Sequence, residues 1–170
     1  MKYKASLNII GKIITASIFI IWGVTIYVVK TAIASKADTE TTTLIISGIS
    51  LLYFSIVFIS YLYAPTSYTL EADNLIINRS ASNKIIKLSN IINVREVSKD
   101  EMKGSIRTFG NGGLWGYYGK YHNTKLGNIT LYTTQWKNYI LIETKEKRKI
   151  IITPDDIDLL QELKEKIISK

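Results

Sequence analysis

Two long apolar runs dominate the first third of the chain, at Ile9–Val29 and Leu44–Ala64. Each run is about 20 residues long, which is the length that an α-helix needs to cross a hydrocarbon core roughly 30 Å thick. Neither run contains an acidic residue, and only Lys12 brings a charge into the first. The pattern predicts a transmembrane hairpin in residues 1–64, with helices over the two runs, followed by one domain in residues 65–170.

The polarity pattern changes after residue 65 to short apolar segments separated by turn-forming residues, such as Asp73-Asn74 and Ser89-Asn90. Alternation over four to eight residues, bounded by such turns, is typical of β-strands. The pattern predicts seven strands, at Ser67–Ala72, Leu75–Arg79, Ile85–Leu88, Ile92–Val97, Asn128–Thr133, Tyr139–Thr144 and Lys149–Thr153.

A helix is predicted at the end of the sequence. Thr153 is expected to be the N-cap, with Pro154 in the first helical position. Asp155 and Asp156 then fall in the first turn, where the helix dipole favours carboxylates. The acidic pair also suits metal or acid–base chemistry, but capping accounts for both carboxylates. The apolar stripe that this helix would bury is Ile157, Leu160, Leu163 and Ile167.

Seven strands followed by one amphipathic helix is the order of a pleckstrin-homology-like (PH-like) barrel. Three segments make the similarity specific: Ile106–Tyr121, Leu141–Lys145 and Ile152–Asp156. Through them the chain resembles the bacterial PH-domain family of small membrane proteins, closely over residues 65–170 and only in type over the hairpin. The resemblance implies an all-β or α+β domain, a seven-stranded barrel capped by the C-terminal helix, and a membrane location. It implies no defined activity.

We call Gly104–Gly127 the glycine–aromatic segment, and the pattern predicts that it is a long irregular stretch. A nucleotide-binding loop is disfavoured, because no Lys-Ser/Thr pair follows in register and no βαβ unit surrounds the segment. Two interpretations remain. The aromatic side chains pack onto the barrel, which we favour, or they form a binding surface. The candidate surface residues are Arg107, Trp115, Tyr117, Tyr118, Lys120 and Tyr121. His122, with no metal-binding partner in a motif, is expected to be a surface or hydrogen-bonding residue.

The distribution of charged residues along the chain suggests how the chain is oriented in the membrane. The formal net charge is +8, and residues 1–30 carry +4 without an acid. The positive-inside rule then favours a multi-pass protein of the cytoplasmic (inner) membrane with both termini in the cytoplasm, although Lys30 and Lys36 oppose this. Tyr3, Tyr61 and Tyr63 are expected at the inner interface. A cleaved signal peptide stays open as an alternative, because Ala32-Ile33-Ala34 resembles a cleavage site.

Small residues are spaced seven apart on each predicted membrane helix. In an antiparallel hairpin Gly23 would lie near Gly48, and Ala16 near Ser55. Such pairs let membrane helices approach closely, although glycine and serine are also simply common there.

Basic residues cluster at Lys145, Lys147, Arg148 and Lys149, which makes them a candidate contact for anionic lipids or an ordinary charged hairpin tip. Phosphoinositide-binding PH domains carry basic residues in the first strand–strand loop. Here that loop contains Glu71 and Asp73, so we expect no specific phosphoinositide recognition.

Catalysis and cofactor binding are not expected. The chain has no cysteine and one histidine, and it lacks hydrolase and metal-site motifs. No nucleic-acid recognition motif is present either. The favoured function is a membrane-anchored PH-like binding or scaffold module, which recruits a protein partner at the cytoplasmic face. The alternative is a structural or accessory subunit of a membrane complex or of a homo-oligomer. In both cases the lipid bilayer is a partner.

Overall fold

The computed structural model describes residues 1–33 and 38–168. Ala34 of the possible cleavage site and Lys36 of the connection between the two apolar runs lie outside these ranges. Helices α1 (Ile9–Ile33) and α2 (Thr39–Tyr63) are 25 residues each, and both are long and apolar enough to span a membrane. The side chain of Asp38 caps α2 by accepting a hydrogen bond from the backbone N–H of Thr41.

Aromatic side chains mediate the contact between the two helices. The Trp22 ring stacks on Tyr53 at 5.9 Å, and the Tyr53 hydroxyl donates to the carbonyl oxygen of Ile18 at 2.7 Å. Gly23 and Gly48 are exposed, and a Cβ atom at either position would meet no heavy atom within 4 Å. Neither glycine therefore forms a close contact with the other helix, and the contacts between the helices involve aromatic side chains instead.

Ten strands form two sheets in the described part of the chain. The first sheet is antiparallel with the order β1-β2-β3-β4, and the second has the order β5-β9-β10-β8-β7-β6 with only β8 and β10 parallel. The strands are β1 Lys2–Lys4, β2 Pro65–Leu70, β3 Asn74–Arg79, β4 Lys84–Lys87, β5 Ile91–Val97, β6 Ile106–Gly112, β7 Tyr117–Asn123, β8 Gly127–Thr133, β9 Tyr139–Thr144 and β10 Lys149–Ile152. A 3-10 turn, Leu88–Asn90, precedes β5, and a short helix, α3 (Lys99–Met102), follows it.

The PH-like fold is consistent with this architecture, but the expected closed barrel of seven strands is wrong. The glycine–aromatic segment is not an irregular loop: it contributes β6 and β7 to the second sheet. The N-terminal strand β1 adds to the first sheet, so the domain also uses residues from before the hairpin.

The core lies between the two sheets and beneath the C-terminal helix α4 (Asp158–Ile168). A second apolar cluster covers the other face of the second sheet. The interior strand β9 lies between these two clusters, so Ile140, Leu141 and Ile142 are all at most 1% exposed. Burial on both faces explains why β9 is apolar at successive positions instead of alternating.

Strand β1 forms one edge of the first sheet by pairing with β2, with Tyr3 opposite Tyr68. Tyr3 is 9% exposed and belongs to the main core, so its expected place at the membrane interface is wrong. The carboxylate of Asp155 holds the chain beyond β1 by accepting hydrogen bonds from the backbone N–H of Ser6, at 2.9 Å, and from its hydroxyl group.

Helix α4 begins later than expected. The side chain of Thr153 is fully buried and accepts a hydrogen bond from the backbone N–H of Thr134, so Thr153 is not the N-cap. Asp156 instead accepts from the N–H of Asp158 at 3.0 Å, which leaves Asp155 to bind Ser6. The expected apolar stripe is confirmed: Leu160 and Leu163 are buried, and Ile157 and Ile167 pack against the same core.

Candidate functional site

Paired glycines shape the β6–β7 hairpin. Gly110 lies opposite Gly119, and both have left-handed φ angles, +125° and +117°. A Cβ atom on Gly119 would overlap the carbonyl oxygen of Phe109, and one on Gly110 would overlap that of Tyr118. The backbones of β6 and β7 therefore lie closer together here than two residues with side chains would allow, which is a reason for glycine at both positions.

The turn after β6 contacts the membrane helices. Trp115 has φ +61°, and its backbone N–H donates to the hydroxyl of Thr15 on α1 at 3.2 Å. Its ring meets the Tyr61 ring of α2 edge-on at 5.6 Å. Trp115 thus contacts both helices, so this candidate surface residue joins the domain to the hairpin.

Two further contacts fix the domain against the hairpin. The hydroxyl group of Tyr118 donates to the carbonyl oxygen of Ser60, in the last turn of α2. The backbone N–H of Asn8, just before α1, donates to the carbonyl oxygen of Thr134 at 2.9 Å. The domain consequently has a defined orientation relative to the helices.

An open groove of about 390 Å³ lies on the face of the second sheet that points away from the main core. We call it the aromatic groove. Trp136, 45% exposed, lines the groove and packs on the Tyr117 ring at 5.5 Å, and Met102 of α3 is also part of the lining. Lys99 and Lys103 are exposed at its rim. Its aromatic lining is Tyr117, Tyr121, Trp136 and Tyr139.

The tyrosine hydroxyl groups in the aromatic groove stay protonated at neutral pH. Burial raises the pKa of Tyr139 to about 12, and burial also raises the pKa of Tyr117 and that of Tyr121. These hydroxyl groups therefore act as hydrogen-bond donors or acceptors and carry no charge. The Tyr121 hydroxyl already donates to the carbonyl oxygen of Asn111 at 2.5 Å.

A second cavity, of about 410 Å³, opens between the end of α2, the end of β3 and the β6–β7 hairpin. We call it the interfacial cavity. Arg79 contacts two aromatic rings there, with its guanidinium carbon 5.5 Å from the centre of the Tyr63 ring and 5.7 Å from that of the Tyr132 ring. Phe109, 76% exposed, lies at the same cavity.

A third cavity, of about 370 Å³, is basic and contains Lys120 together with Lys147, Arg148 and Lys149. Arg148 forms an ion pair with Glu146 at 3.0 Å, and the ammonium group of Lys149 donates to the carbonyl oxygen of Leu126 at 2.9 Å. Lys145 is exposed at the same turn.

The basic turn lies at the far end of the sheet from the hairpin. Strand β8 ends beside Thr134, which bonds Asn8 next to α1, and β10 runs parallel to β8. The β9–β10 turn precedes β10, so it is at the opposite ends of these strands. This placement does not favour contact between the basic turn and the bilayer that the hairpin would cross.

The structure does not bring the six candidate surface residues together on one surface. Tyr117 and Tyr121 line the aromatic groove, Tyr118 lines the interfacial cavity, and Lys120 lines the basic cavity. Trp115 contacts the hairpin, as described above. Arg107 is exposed on β6, and its side chain lies over Gly112. His122 is exposed, with Nδ1 2.9 Å from the Asn128 side-chain oxygen, which confirms a hydrogen-bonding surface residue.

Sequence reasoning missed Trp136, Tyr139 and Arg79 as site residues. One signal in the sequence pointed to Trp136. It is a large aromatic residue between two polar residues, in a segment that joins two predicted strands, and the structure leaves it 45% exposed. Arg79 gave none, because its two ring partners are distant in the sequence.

The chain is similar to a known protein family. The family model described as the bacterial PH domain matches residues 66–167, which is more than half of the chain. No curated protein and no solved structure matches.

Proposed function

The chain belongs to the bacterial PH-domain family, and on this premise we propose that it recruits a protein partner to the cytoplasmic face of the membrane. PH domains are typically non-catalytic binding or scaffold modules. One observation carries the finer proposal: an aromatic groove stays open on a domain that is fixed against two helices of membrane-spanning length.

The composition of the aromatic groove suits an extended protein segment. Tyrosine and tryptophan supply large contact areas at low entropic cost, and they are enriched where binding energy concentrates. Lys99 and Lys103 add positive charge at the rim, and the ion pair of Lys103 with Asp100 is exposed and therefore weak. The expected ligand is a segment with apolar side chains flanked by acidic residues.

We place the protein in the cytoplasmic membrane with both termini in the cytoplasm. Lys2 and Lys4 precede α1, and the domain adds further positive charge on the same side of the hairpin. Reporter fusions test this orientation. A C-terminal fusion should be active only with a cytoplasmic reporter, whereas activity of a periplasm-specific reporter there would contradict the proposal.

Site-specific photocrosslinking in intact membranes tests the groove. A photoreactive amino acid replaces Trp136 in the full chain, and the matched control replaces Ile92, which is 60% exposed on the edge strand β5. We expect a discrete protein adduct from position 136 and none from position 92. The same adducts from both positions, or lipid adducts alone from position 136, would contradict the proposal. An adduct between two copies of this chain would instead support the alternative of a homo-oligomeric structural subunit.

A further inference from the structure

Arg79 is held in a fixed orientation with an unsatisfied positive charge. Its Nε donates to the carbonyl oxygen of Ser82 at 2.7 Å, and Nη2 donates to the Ser82 hydroxyl at 3.2 Å. The guanidinium group also contacts the rings of Tyr63 and Tyr132, 5.5 Å and 5.7 Å from its central carbon. Among residues 1–33 and 38–168, no acceptor bonds Nη1 and no carboxylate pairs with Arg79. An arginine whose guanidinium group is already held in place, and whose Nη1 still has hydrogens to donate, is well suited to bind an oxyanion.

The surroundings of Arg79 combine this charge with apolar surface. The interfacial cavity includes Ile59 and Ser60 from the last turns of α2, and Phe109 exposes 76% of its surface beside them. None of the residues that line the cavity is acidic. Since α2 is long and apolar enough to span a membrane, its end at Tyr63 places the cavity where lipid headgroups meet acyl chains.

We propose that the interfacial cavity binds one anionic phospholipid of the surrounding bilayer, with its phosphate group on Arg79 and an acyl chain along Ile59 and Phe109. A lipid of net negative charge is favoured over a zwitterionic one, because the headgroup cation of the latter would approach a guanidinium that has no acidic neighbour. The inference needs the hairpin to be in the membrane but does not depend on the aromatic groove.

This site differs from the loop in which PH domains place a phosphoinositide cradle. The corresponding turn here, at Glu71–Asp73, joins β2 to β3 at the start of β3, whereas Arg79 is at the end of the same strand. It also differs from the basic cavity, whose Arg148 lies at the sheet end away from the hairpin.

Native mass spectrometry of the full-length protein in non-ionic detergent tests the proposal. The probes are phosphatidylglycerol, phosphatidylcholine and glycerol 3-phosphate. We expect one phosphatidylglycerol to bind more tightly than phosphatidylcholine, and Arg79→Gln to weaken that binding about tenfold, as the loss of one charge-assisted hydrogen bond predicts. The matched control, Arg148→Gln, removes the same charge from the far end of the sheet and should bind like the wild type.

Three results would overturn the proposal. Equal losses in Arg79→Gln and Arg148→Gln would indicate attraction by bulk charge. Glycerol 3-phosphate binding as tightly as phosphatidylglycerol would assign the site to a soluble anion. If Arg79→Gln does not fold, Arg79→Lys and Phe109→Ser replace it, and the proposal fails if both variants bind phosphatidylglycerol as the wild type does.

Discussion

Tyr118 of β7 donates its hydroxyl hydrogen to the carbonyl oxygen of Ser60, one turn before the end of α2. This carbonyl has lost its normal helical partner, because the N–H of Ala64 bonds to Tyr61 instead. Helix ends leave such carbonyl groups unsatisfied, and here a strand of the domain supplies the missing donor. The Asn111 side chain in turn donates to the Tyr118 oxygen at 3.1 Å. The contact therefore links the end of the α1–α2 helical hairpin to the β6–β7 strand hairpin.

We expect Tyr118→Phe to destabilise the full-length protein by about 1 kcal/mol, because it leaves the Ser60 carbonyl and the Asn111 amide without this partner. Chemical denaturation in detergent measures the change. Tyr27→Phe is the matched control, since Tyr27 is 69% exposed on α1 and should have little effect. Equal stability of the two variants would contradict a structural role for the Tyr118 hydroxyl.

Strand β1 is expected to contribute strongly to the stability of the domain. Tyr3 is 9% exposed in the main core, so Tyr3→Ala should reduce the free energy of unfolding by about 3 kcal/mol through lost burial and an unfilled cavity. The neighbouring change Lys2→Ala, at an exposed position of the same strand, should alter it by less than about 0.5 kcal/mol. Thermal unfolding of the two full-length variants compares them. A wild-type melting temperature for Tyr3→Ala would show that β1 is dispensable.

The close approach of β6 and β7 predicts different costs for two glycine substitutions. Gly127→Ala places a side chain at φ +73° in open space and should cost about 1–2 kcal/mol. Gly119→Ala adds an overlap with the Phe109 carbonyl, so it should cost about 1–3 kcal/mol more, because the strands must separate. Hydrogen exchange should also show faster amide exchange across β6 and β7 in Gly119→Ala alone. Equal stability of the two variants would contradict the observed strand spacing.

Acid should weaken the capping box at the start of α3, in which the Ser98 hydroxyl accepts a hydrogen bond from the backbone N–H of Glu101 and the Glu101 carboxylate accepts one from the backbone N–H of Ser98. The pKa of Glu101 is lowered to about 2, chiefly by the hydrogen bond from Arg95 at 2.7 Å and then by the backbone N–H of Ser98. Because the folded pKa lies below the usual value, the stabilisation is complete above about pH 5 and is lost as the pH falls towards 2. Glu101→Gln should therefore show a shallower loss of stability over this range. Glu165→Gln, at an exposed position of α4, should keep the wild-type slope, and identical slopes for all three proteins would contradict the prediction.

Elements with a strong local pattern could be predicted from the sequence. The apolar runs predicted two long helices, and the structure has them at Ile9–Ile33 and Thr39–Tyr63. The predicted strand Tyr139–Thr144 has the observed bounds, and the family was recognised from three short segments. In these cases residue type and spacing carry the information, because helix length and strand turns depend on neighbours in the sequence.

Elements that depend on a distant partner could not be predicted in this way. Strand β1 has three residues, too few for a periodic pattern, and it is a strand because β2 offers an edge. The β6–β7 hairpin looked irregular, since its glycines are poor strand formers until two of them meet across the ladder.

The candidate sites were decided by the tertiary structure. Trp115, Tyr117 and Lys120 are close together in the sequence, yet they contact the hairpin, the aromatic groove and the basic cavity, respectively. The reason is that Tyr117 and Lys120 point to opposite faces of β7, whereas Trp115 lies in the turn before this strand, and what covers each position comes from elsewhere in the chain. Likewise, Arg79 became a candidate lipid ligand only when folding brought the rings of Tyr63 and Tyr132 against its guanidinium group. The sequence by itself determined the two long helices, the apolar stripe of the C-terminal helix, most of the strands and the family, whereas contacts between distant segments decided which side chains share a surface.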